Sequence, residues 1–441
     1  MKFISLLFFL ILGQLHYAQV DTLKLSDEHQ YVKIDSIKII GNDITEEFII
    51  LREMTFSIDD EVNIKDIEYN RERIYSLGLF NYVNLYVLHN EEENTLLIDV
   101  YEKWYLYPFP FVFFNGGEFK NPTYGVNFKL ENFRGRNETL NAYIALGYDP
   151  SVFLNYYNPA LLFNNDIGMG IELGYRDFGN KSYNAERIVG EDFEYTFYSG
   201  AISFSKRINQ FNLVQISPSF TYIETDAYIS NSITASETSI DRVPALTAAY
   251  LYDSRDLKQF PKSGVYSLVE LTHKGFGVGN ISYNTFYLDF RQYNELIRDI
   301  TARWRVTYRN AFGDVVPYYD YSFFGYEEYV RGHREDEMEG LQFVLGSFEM
   351  SYAILNEWDF SLDLPLLPKR LTSTRIGVNF NIFADAGATF NKFDELLLNS
   401  FISGYGFGLN ILFLPYNSVR FEYAFDEYMN GEFLVGLGFS F

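Results

Sequence analysis

The chain ends on "GEFLVGLGFSF", residues 431 to 441. Phe433, Val435, Leu437, Phe439 and Phe441 share one parity, while Glu432, Leu434, Gly436, Gly438 and Ser440 share the other. A period of two is that of a β-strand, whose successive side chains point to opposite faces. The preceding stretch repeats the pattern, with Val419, Phe421, Tyr423 and Phe425 against Ser418, Arg420, Glu422 and Asp426. So does "TARWRVTYRN" (301–310), with Ala302, Trp304, Val306 and Tyr308 opposite Arg303, Arg305, Thr307 and Arg309. One face is apolar and aromatic, and the other carries the charges.

A soluble sandwich turns its apolar faces inward. A transmembrane barrel reverses this, with an apolar band on lipid and a polar lumen. The alternating runs last ~10–15 residues, against ~5–6 in most soluble sheets, and the last of them closes on an aromatic. Both features favour the barrel. From Trp104 to Phe441 the pattern predicts about sixteen antiparallel strands, the first at 104–115, the twelfth at 340–355, the thirteenth at 373–389 and the last at 431–441. An even count brings both ends to one side of the membrane. The third, fourth and sixth outward loops are long (178–192, 224–242, 313–340), whereas turns such as "GRNE" and "PYNS" are short. One turn on the short side, around "SLDLPLLPKR", is unexpectedly long.

Composition agrees with this class. The chain has 441 residues, 43 Phe, 37 Tyr, no Cys and a formal net charge of −24. Aromatic content of 19% does not fit disorder, and the acidic balance excludes a nucleic-acid footprint. Without cysteine there is no disulfide and no lipid attachment to a cleaved N-terminal Cys. Residues 1–18, "MKFISLLFFLILGQLHYA", read as a secretory signal peptide, with His16 poorly suited to the position two before Ala18.

Residues 31–103 follow another rule. "YVKIDSIKIIGN" is a strand ending at Gly41 and Asn42, "TEEFIILREM" opens with Thr45 as cap, and "NIKDIEYNRERIYSLGLF" is a helix stopped at Gly78. Two short strands follow, near 82–89 and 94–103, giving a βααββ domain placed in the periplasm.

These residues resemble a known family. The βααββ order, with "IIGN" and "RIYSLGLFNYV", is similar to a polypeptide-transport-associated (POTRA) domain. The barrel from 104 to 441 resembles that of the Omp-eighty-five superfamily, the BamA/TamA-type outer-membrane assembly factors and bacterial surface antigens. "YDSRDLKQFPKSG" (252–264) is similar to the family's periplasmic turn motif through Asp253, Arg255, Asp256, Pro261 and Gly264. "FFGYEEYVRGH" (323–333) is similar to its sixth-loop signature through Val330, Arg331 and Gly332, with Tyr326 and His333 as departures. "FADAG" (383–387) is similar to its strand motif through Asp385 and Gly387.

The resemblance implies that the sixth loop folds into the lumen and that Arg331 meets a charged residue of the wall. Parity alone turns Asp385 inward, since it alternates with Ile376, Val378, Phe380 and Ile382. Arginine suits such a pairing because it is always charged and binds a carboxylate bidentately. The alternative is a solvated acidic loop with an incidental Arg.

The first strand, "WYLYPFPFVFF", carries Pro108 and Pro110, which lack an N–H and sit two apart. Gly436 and Gly438 weaken the last strand, which ends at Phe441. If the prolines face that strand, the seam closing the barrel is weak; otherwise they mark the domain junction. The resemblance implies a function of inserting or exporting polypeptides through that seam, with unfolded clients received at the POTRA edge by strand addition. It also implies outer-membrane lipid and accessory periplasmic proteins as partners, and a single POTRA domain suggests a specialised paralogue. The competing reading is a passive outer-membrane pore or structural surface antigen. His16, His29, His89, His273 and His333 have no metal-ligand spacing and read as incidental. Arg303, Arg305 and Arg309 read as solvated luminal residues rather than an anion path. Asp253, Arg255 and Asp256 read as a structural ion network. No catalytic motif and no cofactor site is evident, so the chain is not read as an enzyme.

Overall fold

The computed structural model describes residues 21–22, 31–90, 93–114, 122–162, 166–227, 233–297, 299–325, 328–334, 336–365 and 367–438. The signal peptide, Tyr326 and Phe441 lie outside these residues.

The N-terminal domain is built from strand Ser36–Ile40, helices Glu47–Leu51 and Ile64–Tyr75, and strands Phe80–Asn90 and Glu93–Glu102. The second helix begins in a capping box: the Asn63 side chain accepts from the Lys65 and Asp66 amides while Asp66 accepts from Asn63 N–H. Its end is turned out at Gly78, whose φ of 68° suits glycine. Ser36–Ile40 runs parallel to Glu93–Glu102, which pairs antiparallel with Phe80–Asn90. Ile34, Ile49, Ile50, Ile74, Phe80, Leu96 and Ile98 fill the core between sheet and helices. Thr45 is not the cap expected from the sequence. The first helix starts after Glu46, with no side-chain cap bond. Thr45 is buried, and both its amide and its hydroxyl donate to Glu102 Oε1 at 2.7 Å. A buried carboxylate needing donors has claimed the residue.

Among the described residues after this domain, sixteen strands form one antiparallel sheet, each paired with the barrel strands next to it in sequence. It runs from Leu106–Phe114 to Gly431–Leu437. Phe348, Tyr352, Phe380, Ile382, Tyr405, Phe407 and Phe421 are exposed on the outside, while Arg303, Glu349, Asn381, Asp385, Arg420 and Glu422 are buried within. The expected inversion of polarity is present. The twelfth strand, Gln342–Ser361, is longer than the 340–355 read from the sequence, because two bulges carry its ladder with Ser373–Phe390 past Ala353 and Leu355.

The domain is bonded to one end of the barrel through its second helix. Glu53 bridges Arg73 of the domain (2.8 Å) and Arg207 of the sixth barrel strand, Glu194–Arg207 (2.7 Å). Burial pushes the Glu53 carboxyl up, but Arg207, Lys258 and Arg73 outweigh it and hold it at about 2. Glu72 meets Arg375 of the thirteenth strand at 3.1 Å, and the Arg375 guanidinium lies 4.0 Å from the Tyr75 ring. Leu257, Phe260, Leu412 and Leu414 of the barrel rim join the domain's own apolar core. The long "SLDLPLLPKR" turn belongs to this junction. Asn81 donates to the Arg370 carbonyl (2.7 Å), Tyr82 to that of Phe360 (3.0 Å), and Arg370 pairs with Asp43.

Candidate functional site: a luminal lock and an open seam

The sixth loop leaves the eleventh strand, Ile300–Gly313, and pairs Ser322–Phe324 with Met338–Gly340 in a short hairpin. Its tip enters the lumen. Phe324 and Val330 are fully buried and pack on Phe343 and Leu345. Gly387 leaves them room, since a Cβ there would come 2.8 Å from the Phe324 ring and 3.1 Å from Val330 Cγ2.

Arg331 grips Asp385 bidentately, Nε to Oδ2 at 2.6 Å and Nη2 to Oδ1 at 2.8 Å. Its Nη1 reaches Glu422 Oε1 at 2.9 Å and Glu349 Oε2 at 3.2 Å, and the guanidinium lies 3.7 Å from the Phe383 ring centre. One cation among three carboxylates would be overloaded, but Glu349 also pairs with Arg303 and Glu422 with Arg420 at 3.4 Å. Three guanidinium groups thus face three carboxylates. The set is a chain of shared ions, Arg303–Glu349–Arg331–Glu422–Arg420, with Asp385 on its central member. Gly332 takes a φ of 97°, and its N–H donates to Glu432 on the last strand at 3.2 Å. A Cβ at Gly404 would overlap the Arg331 carbonyl oxygen, so the fourteenth strand, Ile402–Leu414, must be bare at that point.

Two readings from the sequence are corrected here. His333 is not incidental: Nδ1 lies 2.7 Å from Asp336, and Nε2 lies 2.7 Å from Glu427 and 3.1 Å from the Ser403 carbonyl. Burial works against its charged form, but hydrogen bonds to Asp336 and Glu427 outweigh it and raise the pKa. Nor are the luminal arginines solvated. Arg303 lies over the Phe260 ring at 4.8 Å, Arg305 pairs with Asp289 (3.0 Å) and loop residue Glu328 (2.6 Å), and Arg309 pairs with Asp320 (3.1 Å). The loop supplies two of the counter-charges, Glu328 and Asp320, which no strand period could disclose, while Asp289 and Glu349 stand on the wall itself. Glu349, Glu422, Arg303 and Arg420 were missed as lock residues; the available signal was their inward parity.

The first and last strands are the two free ends of the sheet, with no ladder joining them among the described residues. Glu131 N–H donates to the Tyr105 carbonyl at 2.8 Å, which makes odd positions the ones bonded to the second strand, Pro122–Phe133. Even positions face the free edge, so Pro108 and Pro110 both lie along the gap and neither can donate across it. Opposite, Gly436 faces the Arg420 guanidinium, and Gly438 N–H donates to the Ser418 carbonyl at 2.9 Å.

The 254–263 turn seats the N-terminal domain. Asp253 and Arg255 form a bidentate pair at 2.8 and 3.0 Å. Asp256 makes no such pair; its Oδ1 accepts the Leu257, Lys262 and Ser263 amides. Burial nonetheless pushes it up to about 6. Pro261 is buried, and Gly264 takes a φ of 107° where the ninth strand begins. Tyr69 donates to the Ser254 carbonyl at 2.9 Å, and Ser76 Oγ accepts the Lys258 amide at 2.9 Å.

Residues 132–441 match the Omp85 superfamily domain, and residues 32–103 match the POTRA family, described as a surface antigen variable number repeat. No curated protein matches the chain in sequence. Among solved structures, BamA from Haemophilus ducreyi lacking POTRA domains 1–3 is similar at a TM-score of 0.51 and 16% identity, covering 92% of this chain and 84% of that one. CdiB from Escherichia coli gives 0.55 and 10%, covering 92% and 75%, and CdiB from Acinetobacter baumannii gives 0.50 and 12%, covering 92% and 73%. At these identities the neighbours speak for the fold, and the domain match supplies the family. With its sixteen-stranded outer-membrane barrel and its POTRA domain, the chain belongs to the Omp85 superfamily, whose members assemble or translocate polypeptides at the Gram-negative outer membrane.

Proposed function

We propose that this protein inserts or exports polypeptides through the seam between its first and last barrel strands, with the POTRA domain in the periplasm receiving unfolded clients. The observation that carries the reading is the edge of Leu106–Phe114 that no ladder covers among the described residues, with Pro108 and Pro110 turned to it. An extended client can pair with the rest of that edge by strand addition. The lumen offers a poorer route, since the sixth loop occupies its wall and the POTRA helix is bonded across one mouth. That arrangement disfavours a passive pore.

Reconstitution into liposomes tests the proposal. Leu106→Cys with Leu437→Cys, oxidised to a disulfide, should abolish client insertion and recover on reduction; full insertion by the locked barrel would refute the seam route. Deleting residues 31–101 should open the mouth to small solutes while client handling falls. Solute flux through the intact chain without any insertion would establish the pore reading instead.

A further inference from the structure

The hairpin between the twelfth and thirteenth strands reaches beyond the rim. The twelfth strand last pairs with the eleventh at Tyr352 and Ile300, yet its ladder with the thirteenth continues to Ser361 and Ser373. Over "EWDFSLDL" (357–364) the sequence keeps a strict period of two. Trp358 stands opposite Ile376, on the outward parity, and Asp359 opposite Arg375, on the luminal one. The two faces then have different neighbours. Glu357 pairs with Arg71 of the POTRA helix at 2.9 Å, and Arg375 with Glu72. The other face leaves Leu355, opposite Val378, and then Trp358 and Leu362 exposed, with Leu364 and Leu367 exposed in the turn beyond.

We infer that this outward face is seated in the lipid leaflet on the POTRA side, so that the hairpin clamps the POTRA domain between barrel rim and membrane surface. The exposed row is continuous with the lipid-facing Phe348, Tyr352, Phe380 and Ile382 on the same two strands. A lone Leu on a water-facing turn is unremarkable, but a contiguous apolar row of this kind marks an interaction surface. Trp358 and the following Lys369 are residue types that sit at the boundary of acyl chains and headgroups. A membrane is already in contact with the rest of the row, and no second partner is needed to cover its end.

Because the chain has no cysteine, Leu364→Cys accepts a single environment-sensitive fluorophore on the full-length protein. In vesicles of phosphatidylethanolamine and phosphatidylglycerol, the probe should emit to the blue, resist aqueous iodide several-fold better than one at Leu398→Cys, and be quenched by lipids bearing a nitroxide near the headgroup. Leu398 is 94% exposed on the loop at the opposite end of the barrel. Ile382→Cys marks the membrane-embedded band. Iodide access at position 364 equal to that at 398, with 382 still protected, would overturn the inference while leaving the barrel assignment intact. Protection from iodide at 364 without quenching by the nitroxide lipids would overturn it too, since protein would then be covering the face. Leu362→Cys reads the same face if a label at 364 prevents folding.

Discussion

The two sides of the barrel are held by opposite means. Around strands eleven to fifteen, the lumen is crossed by charged groups that are nearly all buried, with Arg331, Glu349, Asp385 and Glu422 each at most 5% exposed. At the seam, no ladder covers the outer edge of the first strand among the described residues, and two of that edge's donors are deleted by proline. The last strand belongs partly to both, since Glu432 accepts from Gly332 and Gly436 lies against Arg420. Under the proposed seam route, the lock would hold strand sixteen still while strand one parts from it.

Breaking the lock should have the largest effect. Arg331→Ala removes the guanidinium that grips buried Asp385 and one of the two that each of Glu349 and Glu422 meets, and loss of one partner of a buried pair costs ~3–5 kcal/mol. The sixth loop should become protease-sensitive in intact cells, and client assembly should fall. A double-mutant cycle with Asp385→Ala then measures how the lock is shared. Coupling should be clear but well short of the full Arg331→Ala effect, because Glu349 and Glu422 also hold the guanidinium. Strictly additive effects would remove Asp385 from the lock; coupling equal to the whole effect would remove the other two.

Strengthening the seam should matter less. Pro108→Ala and Pro110→Ala each restore one edge N–H, and a backbone hydrogen bond contributes ~0.5–1.5 kcal/mol net. The double variant should raise the melting temperature and slow client insertion. An unchanged melting temperature with unchanged insertion would show that the prolines do not govern closure.

The smallest effect is expected at His333. Its folded pKa is raised above the ordinary 6.5, so its stabilisation of the loop tip is complete below that value. It should fade as pH rises through the raised folded value, as the bonds to Asp336 and Glu427 lose their charge assistance. Limited proteolysis of the sixth loop between pH 6 and pH 9 should therefore show increasing cleavage in the wild type and a flat profile in His333→Gln. A flat wild-type profile would sever the histidine from the lock.

Sequence by itself determined the strands, their number and which face of each looks inward, because a period of two is local and survives without any knowledge of neighbours. It exposed Asp385 as luminal, and it singled out the "SLDLPLLPKR" turn as anomalous. It could not say that Glu349 and Glu422, on strands twelve and fifteen, converge on one guanidinium, since that meeting depends on barrel curvature and on a loop returning through the lumen. It could not orient Pro108 and Pro110 either. Side-chain parity is written in the residues, whereas the choice of which neighbour receives the N–H groups belongs to the register with the second strand. Thr45 shows the same limit at short range: its side chain suits a cap, but a buried carboxylate 57 residues away offered the stronger bond.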